Sequence, residues 1–167
     1  GQITLTVSDG DTVVTNLVDI TVTPINDAPV VISIAPQTTD EDTVLGPLPF
    51  SVSDIETSTL VVEASTLSTN LFASLLLEGT GESRTLTVTP ATNAFGFGQV
   101  FLTVSDGDAV VTNLVDITVT PINDVPVVSS IAPQTTDEDT VLGPLAFTVS
   151  DIETTNLVVE ASTLATN

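Results

Sequence analysis

Cysteine, histidine, methionine, tryptophan and tyrosine are all absent from this 167-residue chain, and Arg84 is its one basic side chain. Without Cys or His there is no thiol nucleophile, no disulfide and no imidazole base, and the N and S ligands that suit zinc or copper are missing. The missing Cys leaves the redox compartment open; a disulfide-dependent mini-domain is excluded, but a chain this long can rely on its core. Against that single base stand 22 acidic residues, for a formal charge of −21. Phosphate recognition needs a basic surface, so nucleic acid is excluded as a partner, and an anionic membrane would repel the chain. No apolar run reaches membrane-spanning length, and neither an initiator Met nor a signal peptide is present. The chain reads as an excised stretch of something longer.

What is there is apolar and β-branched. The chain is 41% hydrophobic and 14% charged, so it can bury a core and is not compositionally disordered. The apolar residues are mostly Val, Leu and Ile, and the polar ones are rich in Thr and Ser, a mix that fits a pleated sheet better than a helix.

The dominant feature is internal repetition. Residues 1–70 and 98–167 align without gaps at an offset of 97 and differ at 10 of 70 positions. That period is too long for a solenoid unit and suits a whole sandwich domain. The segment Thr23-Pro24-Ile25-Asn26-Asp27-Ala28-Pro29 recurs as Thr120-Pro121-Ile122-Asn123-Asp124-Val125-Pro126. Each Pro removes a ladder donor, so these segments are stiff connectors rather than central strands. The division that follows is 1–24, the last two strands of one repeat; 25–121, a complete β-sandwich repeat; and 122–167, the opening strands of a third.

Within 25–121 the period-2 signal is plain. Phe50 and Val52 alternate with Ser51 and Ser53; Leu60, Val62 and Ala64 with Val61 and Glu63; Leu86 and Val88 with Thr85 and Thr87. The same holds for Val100, Leu102 and Val104 against Phe101 and Thr103, and for Ile117 and Val119 against their polar neighbours. Val30–Ile34 opens the repeat, and Leu71–Leu77 is either a strand or a helical turn. The expectation is an all-β sandwich of about seven strands.

Carboxylates recur in four places per repeat. Asn26-Asp27, with Asn123-Asp124, sits in the connector, where Asn and Asp also cap turns. Asp54-Ile55-Glu56, with Asp151-Ile152-Glu153, follows a strand; two carboxylates on one side repel unless a cation bridges them. Asp9-Gly10-Asp11, with Asp106-Gly107-Asp108, marks a tight hairpin, from which Asp9 and Asp106 can still donate an oxygen. Asp40-Glu41-Asp42, with Asp137-Glu138-Asp139, resembles a solvated strand end, and only Glu41 and Glu138 are taken from it as candidate ligands. Calcium uses six to eight oxygen ligands of these kinds. An EF-hand does not fit, because its required Gly position, counted from Asp40, is Leu45.

The order of these elements (Asn-Asp-x-Pro, a Glu about a dozen residues on, Gly, acid-x-acid, then Asp-Gly before the last strand) resembles the cadherin-like layout. It is most similar to bacterial tandem repeats of about 95 residues with an Asn-Asp-Ala-Pro linker, found in giant adhesins. That resemblance implies Ig-like, Greek-key sandwiches with Ca2+ between them. Asp54, Glu56 and Asp106 would meet Asn26 and Asp27 at one junction. Glu41 would join Asn123, Asp124, Asp151 and Glu153 at the next, while Asp9 and Glu138 would serve the junctions beyond. The Leu-Asp-Arg-Glu motif of animal cadherins is absent, and Glu stands where their second paired acid is Asp.

The function so implied is a calcium-stiffened extender, or stalk, of a large bacterial surface adhesin, extracellular, whose partners are neighbouring repeats. A self-assembling fibre or sheath protein exchanging strands between identical chains is the alternative. Enzymatic activity is not expected: Asp54 and Glu56 lack an aromatic sugar platform and a nearby base.

Overall fold

The structure is a computed structural model and describes residues 1–164; the last three residues of the expected opening segment 122–167 lie outside the described residues. All regular structure in it is β. Strands β1 (Gln2–Ser8) and β2 (Val13–Asp19) form an antiparallel hairpin. The next eight strands are β3 (Val30–Ile32), β4 (Gln37–Asp40), β5 (Leu45–Ser53), β6 (Val61–Thr66), β7 (Phe72–Glu78), β8 (Ser83–Pro90), β9 (Gly96–Ser105) and β10 (Val110–Thr120). A short pair follows, β11 (Val127–Val128) with β12 (Val149–Ser150). No helix among the described residues is long and apolar enough to cross a membrane.

Strands β3 to β10 build two four-stranded sheets, ordered β3-β5-β8-β7 and β4-β10-β9-β6. The chain crosses between sheets after β3, β4, β5, β6 and β8 and stays in one sheet through the hairpins β7–β8 and β9–β10, which is the Greek-key order of an Ig-like sandwich. Every second residue of the long strands points into the space between the sheets. Val52 of β5, Leu86 and Val88 of β8, Val100, Leu102 and Val104 of β9, and Val115, Ile117 and Val119 of β10 are buried there. Their alternates, such as Thr103 and Phe101, face outward and are half-buried. The counterparts of the β9 core residues in β1, namely Ile3, Leu5 and Val7, are exposed, because among the described residues no second sheet faces that hairpin.

The structure decides one element that the sequence leaves open and adds one strand, β4, to the expected seven. Of the segment 71–77, all but Leu71, which ends the preceding turn, is strand and not a helical turn: β7 pairs antiparallel with β8, with Leu75 and Leu77 packed toward the core and Leu76 exposed. The opening segment also divides in two. β3 pairs with β5, then the chain passes Pro36 and β4 pairs in parallel with β10, in the other sheet. Pro36, lacking an N–H, suits this break in pairing, and the buried Ile34 anchors the chain just before it.

Close packing explains two glycines. Gly46 lies at a bulge in the β5–β8 ladder with φ +118°, and a Cβ there would sit 2.7 Å from the Leu86 carbonyl oxygen. At Gly98 on β9 a Cβ would lie 2.6 Å from the Phe72 ring, so the missing side chain is what admits Phe72 and Leu71 to the core.

The switch of sheet between β3 and β4 positions the candidate site. The parallel pairing of β4 ends at Asp40 opposite Thr120, where β10 runs out into the second connector. Glu41 follows immediately, its N–H donating to the Thr120 carbonyl at 2.9 Å. The first turn after β4 is thereby fixed to the exit of the same repeat.

Candidate metal centre

Glu41 is the one buried charged residue among those described, 3% exposed. Its Oε1 accepts a hydrogen bond of 2.7 Å from the N–H of Ile122 in the connector, and its Oε2 is buried with no hydrogen-bond partner. Asp124, two residues further along, donates its N–H to Glu153 Oε2 at 2.8 Å, leaving Glu153 Oε1 buried and unpaired. One carboxylate oxygen from each of Glu41, Asp124 and Glu153 lies within 4.8 Å of the others. The three come from the turn after β4, from the connector and from the loop after β12, segments that the sequence spaces about 83 and 29 residues apart. No Lys, Arg or His is available to neutralise them, since Arg84, in β8, is the only base in the sequence.

The surrounding groups hold these acids in place. Asp151 turns its Oδ1 to the N–H groups of Glu153 and Thr154, at 3.1 and 3.0 Å, fixing the loop that presents Glu153. Asn123 donates its side-chain amide to the Asp124 carbonyl at 2.8 Å, which stiffens the connector. Partial burial, then the charges of Glu153, Asp42 and Asp151, hold the Asp124 carboxyl above the usual carboxylate range. With a raised folded-state value, Asp124 favours the folded joint when protonated, and that contribution is lost as pH rises through the raised value. The ionised joint therefore calls for a counter-charge.

The first connector repeats half of this arrangement. Asp27 N–H donates to Glu56 Oε2 at 3.1 Å, and Asp54 Oδ1 accepts from the N–H groups of Glu56 and Thr57 at 2.9 and 2.8 Å. The Asn26 amide reaches Asp106 Oδ2 at 3.0 Å, tying the connector to the β9–β10 loop, and Asp54 Oδ2 is buried without a partner. Asp106 also accepts from Asp108 and Ala109 N–H; the Ala109 bond first, then the Asn26 amide, hold its carboxyl below the usual range. No triad of carboxylates assembles at this first connector among the described residues. The connector and the following repeat thus form half a site, and the Glu41 turn of the preceding repeat adds the third carboxylate.

Of the sequence candidates, Glu41, Asp124 and Glu153 come together, with Asp151 and Asn123 supporting them. Asp54, Glu56, Asn26, Asp27 and Asp106 are interlinked at the first connector. Asp9 caps its own hairpin loop, accepting from Asp11 N–H and from the N–H and hydroxyl of Thr12; these bonds, the Thr12 N–H first, lower its pKa. Glu138 is exposed and outside the triad. Asp42, like Glu138, lies outside the triad; its Oδ1 accepts the Asn93 N–H at 3.1 Å.

The donor set is all oxygen and hard, as calcium or magnesium requires. Two buried carboxylate oxygens without partners, Glu41 Oε2 and Glu153 Oε1, are a costly arrangement that a cation would relieve. The residues therefore fit a divalent cation.

No protein-family profile and no curated protein matches the chain. Among solved structures it is similar to an endo-fucoidan hydrolase of glycoside hydrolase family 107, with 21% identity over 78% of this chain and 21% of that one, at a TM-score of 0.47. It is also similar to domains 4 and 5 of the S-layer protein SbsC, with 18% identity over 72% of this chain and 58% of that one, at a TM-score of 0.45. For SbsC domains 4–9 the identity is 16%, over 90% of this chain and 24% of that one, at a TM-score of 0.43. The chain thus spans between 21% and 58% of these structures. Likeness at this level carries nothing about function.

Proposed function

We propose that this chain is part of an extracellular stalk built from tandem 97-residue β-sandwich repeats, the unit being 25–121, whose joints are stiffened by calcium. The observation that carries the reading is the buried Glu41 carboxylate, whose Oε2 has no hydrogen-bond partner and one of whose oxygens lies within 4.8 Å of carboxylate oxygens of Asp124 and Glu153 in the next connector and repeat. Without a cation, carboxylates from two repeats and the connector repel. With one, repulsion becomes shared coordination and the angle between repeats is fixed. Extracellular calcium modules bind in the range of about 10⁻⁴–10⁻³ M, so such a joint would harden on export from a calcium-poor cytosol.

Near-identical copies suit a spacer in a bacterial surface adhesin better than a binding tip, which usually occurs once. The paired acids support a structural role over a catalytic one: Asp54 Oδ1 and Glu56 Oε2 are engaged by backbone N–H groups of the turn and connector. Small-angle X-ray scattering on this chain and on a longer array of the repeat tests the proposal. Calcium should narrow the distribution of interdomain distances and lengthen the particle relative to EGTA; identical profiles in both would contradict it.

A further inference from the structure

The two connectors leave the sandwich from opposite poles. The first is tied at Asn26 to Asp106 in the β9–β10 loop, at 3.0 Å, while the second continues β10 beyond Thr120, at the far end of that hairpin. Tension carried along a stalk therefore draws the entering chain toward one pole and β10 toward the other. On the entering side come β3, with three paired positions, then the buried Ile34, then β4. Strand β4 runs parallel to β10, from Gln37 opposite Ile117 to Asp40 opposite Thr120. Parallel strands drawn toward opposite poles slide along their length, so the bonds between them are loaded together rather than opened one by one. Burial does little to hold β4, since Gln37-Thr38-Thr39-Asp40 is polar throughout. Hydrogen bonds hold it, and they gather at its end. The Thr120 hydroxyl bonds Asp40 Oδ1 at 2.5 Å, with the Thr39 carbonyl oxygen at 3.3 Å. The Thr120 carbonyl accepts the Glu41 N–H at 2.9 Å, and the Ile122 N–H donates to Glu41 Oε1 at 2.7 Å, which extends the pairing into the connector.

Resting on the calcium-stalk reading above, we infer that the β4–β10 pair is the load-bearing element of the repeat and that a cation at the following joint locks it. Glu41 stands directly after β4, whereas Asp124 stands on the chain that leaves β10. A cation shared by the two spans the line along which β4 and β10 slide, and it must be released before they move. Without it, carboxylate oxygens held within 4.8 Å of one another repel across that same line. Calcium thus raises the unfolding barrier of the repeat that precedes the joint, besides fixing the angle to the repeat that follows.

Unfolding of the full chain at constant force, held by its two ends in magnetic tweezers, tests this, because forced unfolding reads the unfolding rate. The last event belongs to the complete repeat, which holds the packed core. In EGTA, Thr120→Val keeps the shape and the backbone pairing but loses the hydroxyl bonds at the end of β4, and should unfold about tenfold faster than the parent. Thr112→Val loses only a 3.5 Å hydroxyl contact to Thr103 across β9–β10 and should unfold at the parental rate. With calcium chloride at 100 times its Kd, the parent should unfold about 100-fold more slowly, and Asp124→Asn should lose that shift. Equal rates for the two Thr variants in EGTA would mean that another element carries the load, and would overturn the inference. If calorimetry shows calcium bound while the unfolding rate stays the same, the lock falls and the calcium joint stands. If the parent chain takes up no calcium, both fall together.

Discussion

Glu41→Gln should reverse its rank against the parent chain when calcium is added. In EGTA the variant is expected to be at least as stable as the parent. The amide carbonyl can still accept the Ile122 N–H that now bonds Glu41 Oε1. What is removed is a negative charge, 3% exposed, held within 4.8 Å of carboxylate oxygens of Asp124 and Glu153. A buried charge without a partner is strongly unfavourable, and an amide of the same shape can donate to the acids around it. In calcium the order inverts. A cation present at 100 times its dissociation constant stabilises the parent by about 2.7 kcal/mol, and the variant, lacking the central ligand, should keep little of that. Thermal melting with and without calcium reads both halves. An equal calcium shift in parent and variant would remove Glu41 from the site.

Leu102→Ala should be the most destabilising single truncation, and indifferent to calcium. Leu102 lies in the middle of β9, between β10 and β6, fully buried against the opposite sheet. Removing its side chain leaves a cavity among Val and Leu neighbours that rigid sheets cannot close, at a cost of about 2–5 kcal/mol. Urea unfolding should show that loss by a lower midpoint with the slope retained, by the same amount in calcium and in EGTA. A cost under about 1 kcal/mol would mean that the two sheets do not share one packed core.

These two residues mark how far the sequence carries the account. Leu102 is legible: it sits in a strict alternation, Val100, Leu102, Val104, and its counterpart Leu5 keeps the same residue one repeat earlier. β4 is not legible, because Gln37-Thr38-Thr39-Asp40 is polar throughout and its strand character comes from parallel pairing with β10, far away in sequence. Leu71–Leu77 carries too many apolar residues for its period to be decided locally, and only its ladder with β8 makes it a strand.

For the site, the connector acids and the Asp-x-Glu pairs stand out by their spacing from Pro and from strand ends. The burial of Glu41 does not. Three adjacent acids read as a solvated face, and what buries the middle one is the return of β10 and its connector across the turn.

The central claim is that oxygens from two successive repeats and their connector share one hard divalent ion. A crystal structure grown in millimolar calcium tests it most directly. The account predicts an ion with six to eight oxygens at about 2.3–2.6 Å, among them Glu41 Oε2, Glu153 Oε1 and a carboxylate oxygen of Asp124. Density showing only water among those three side chains at that concentration would contradict it.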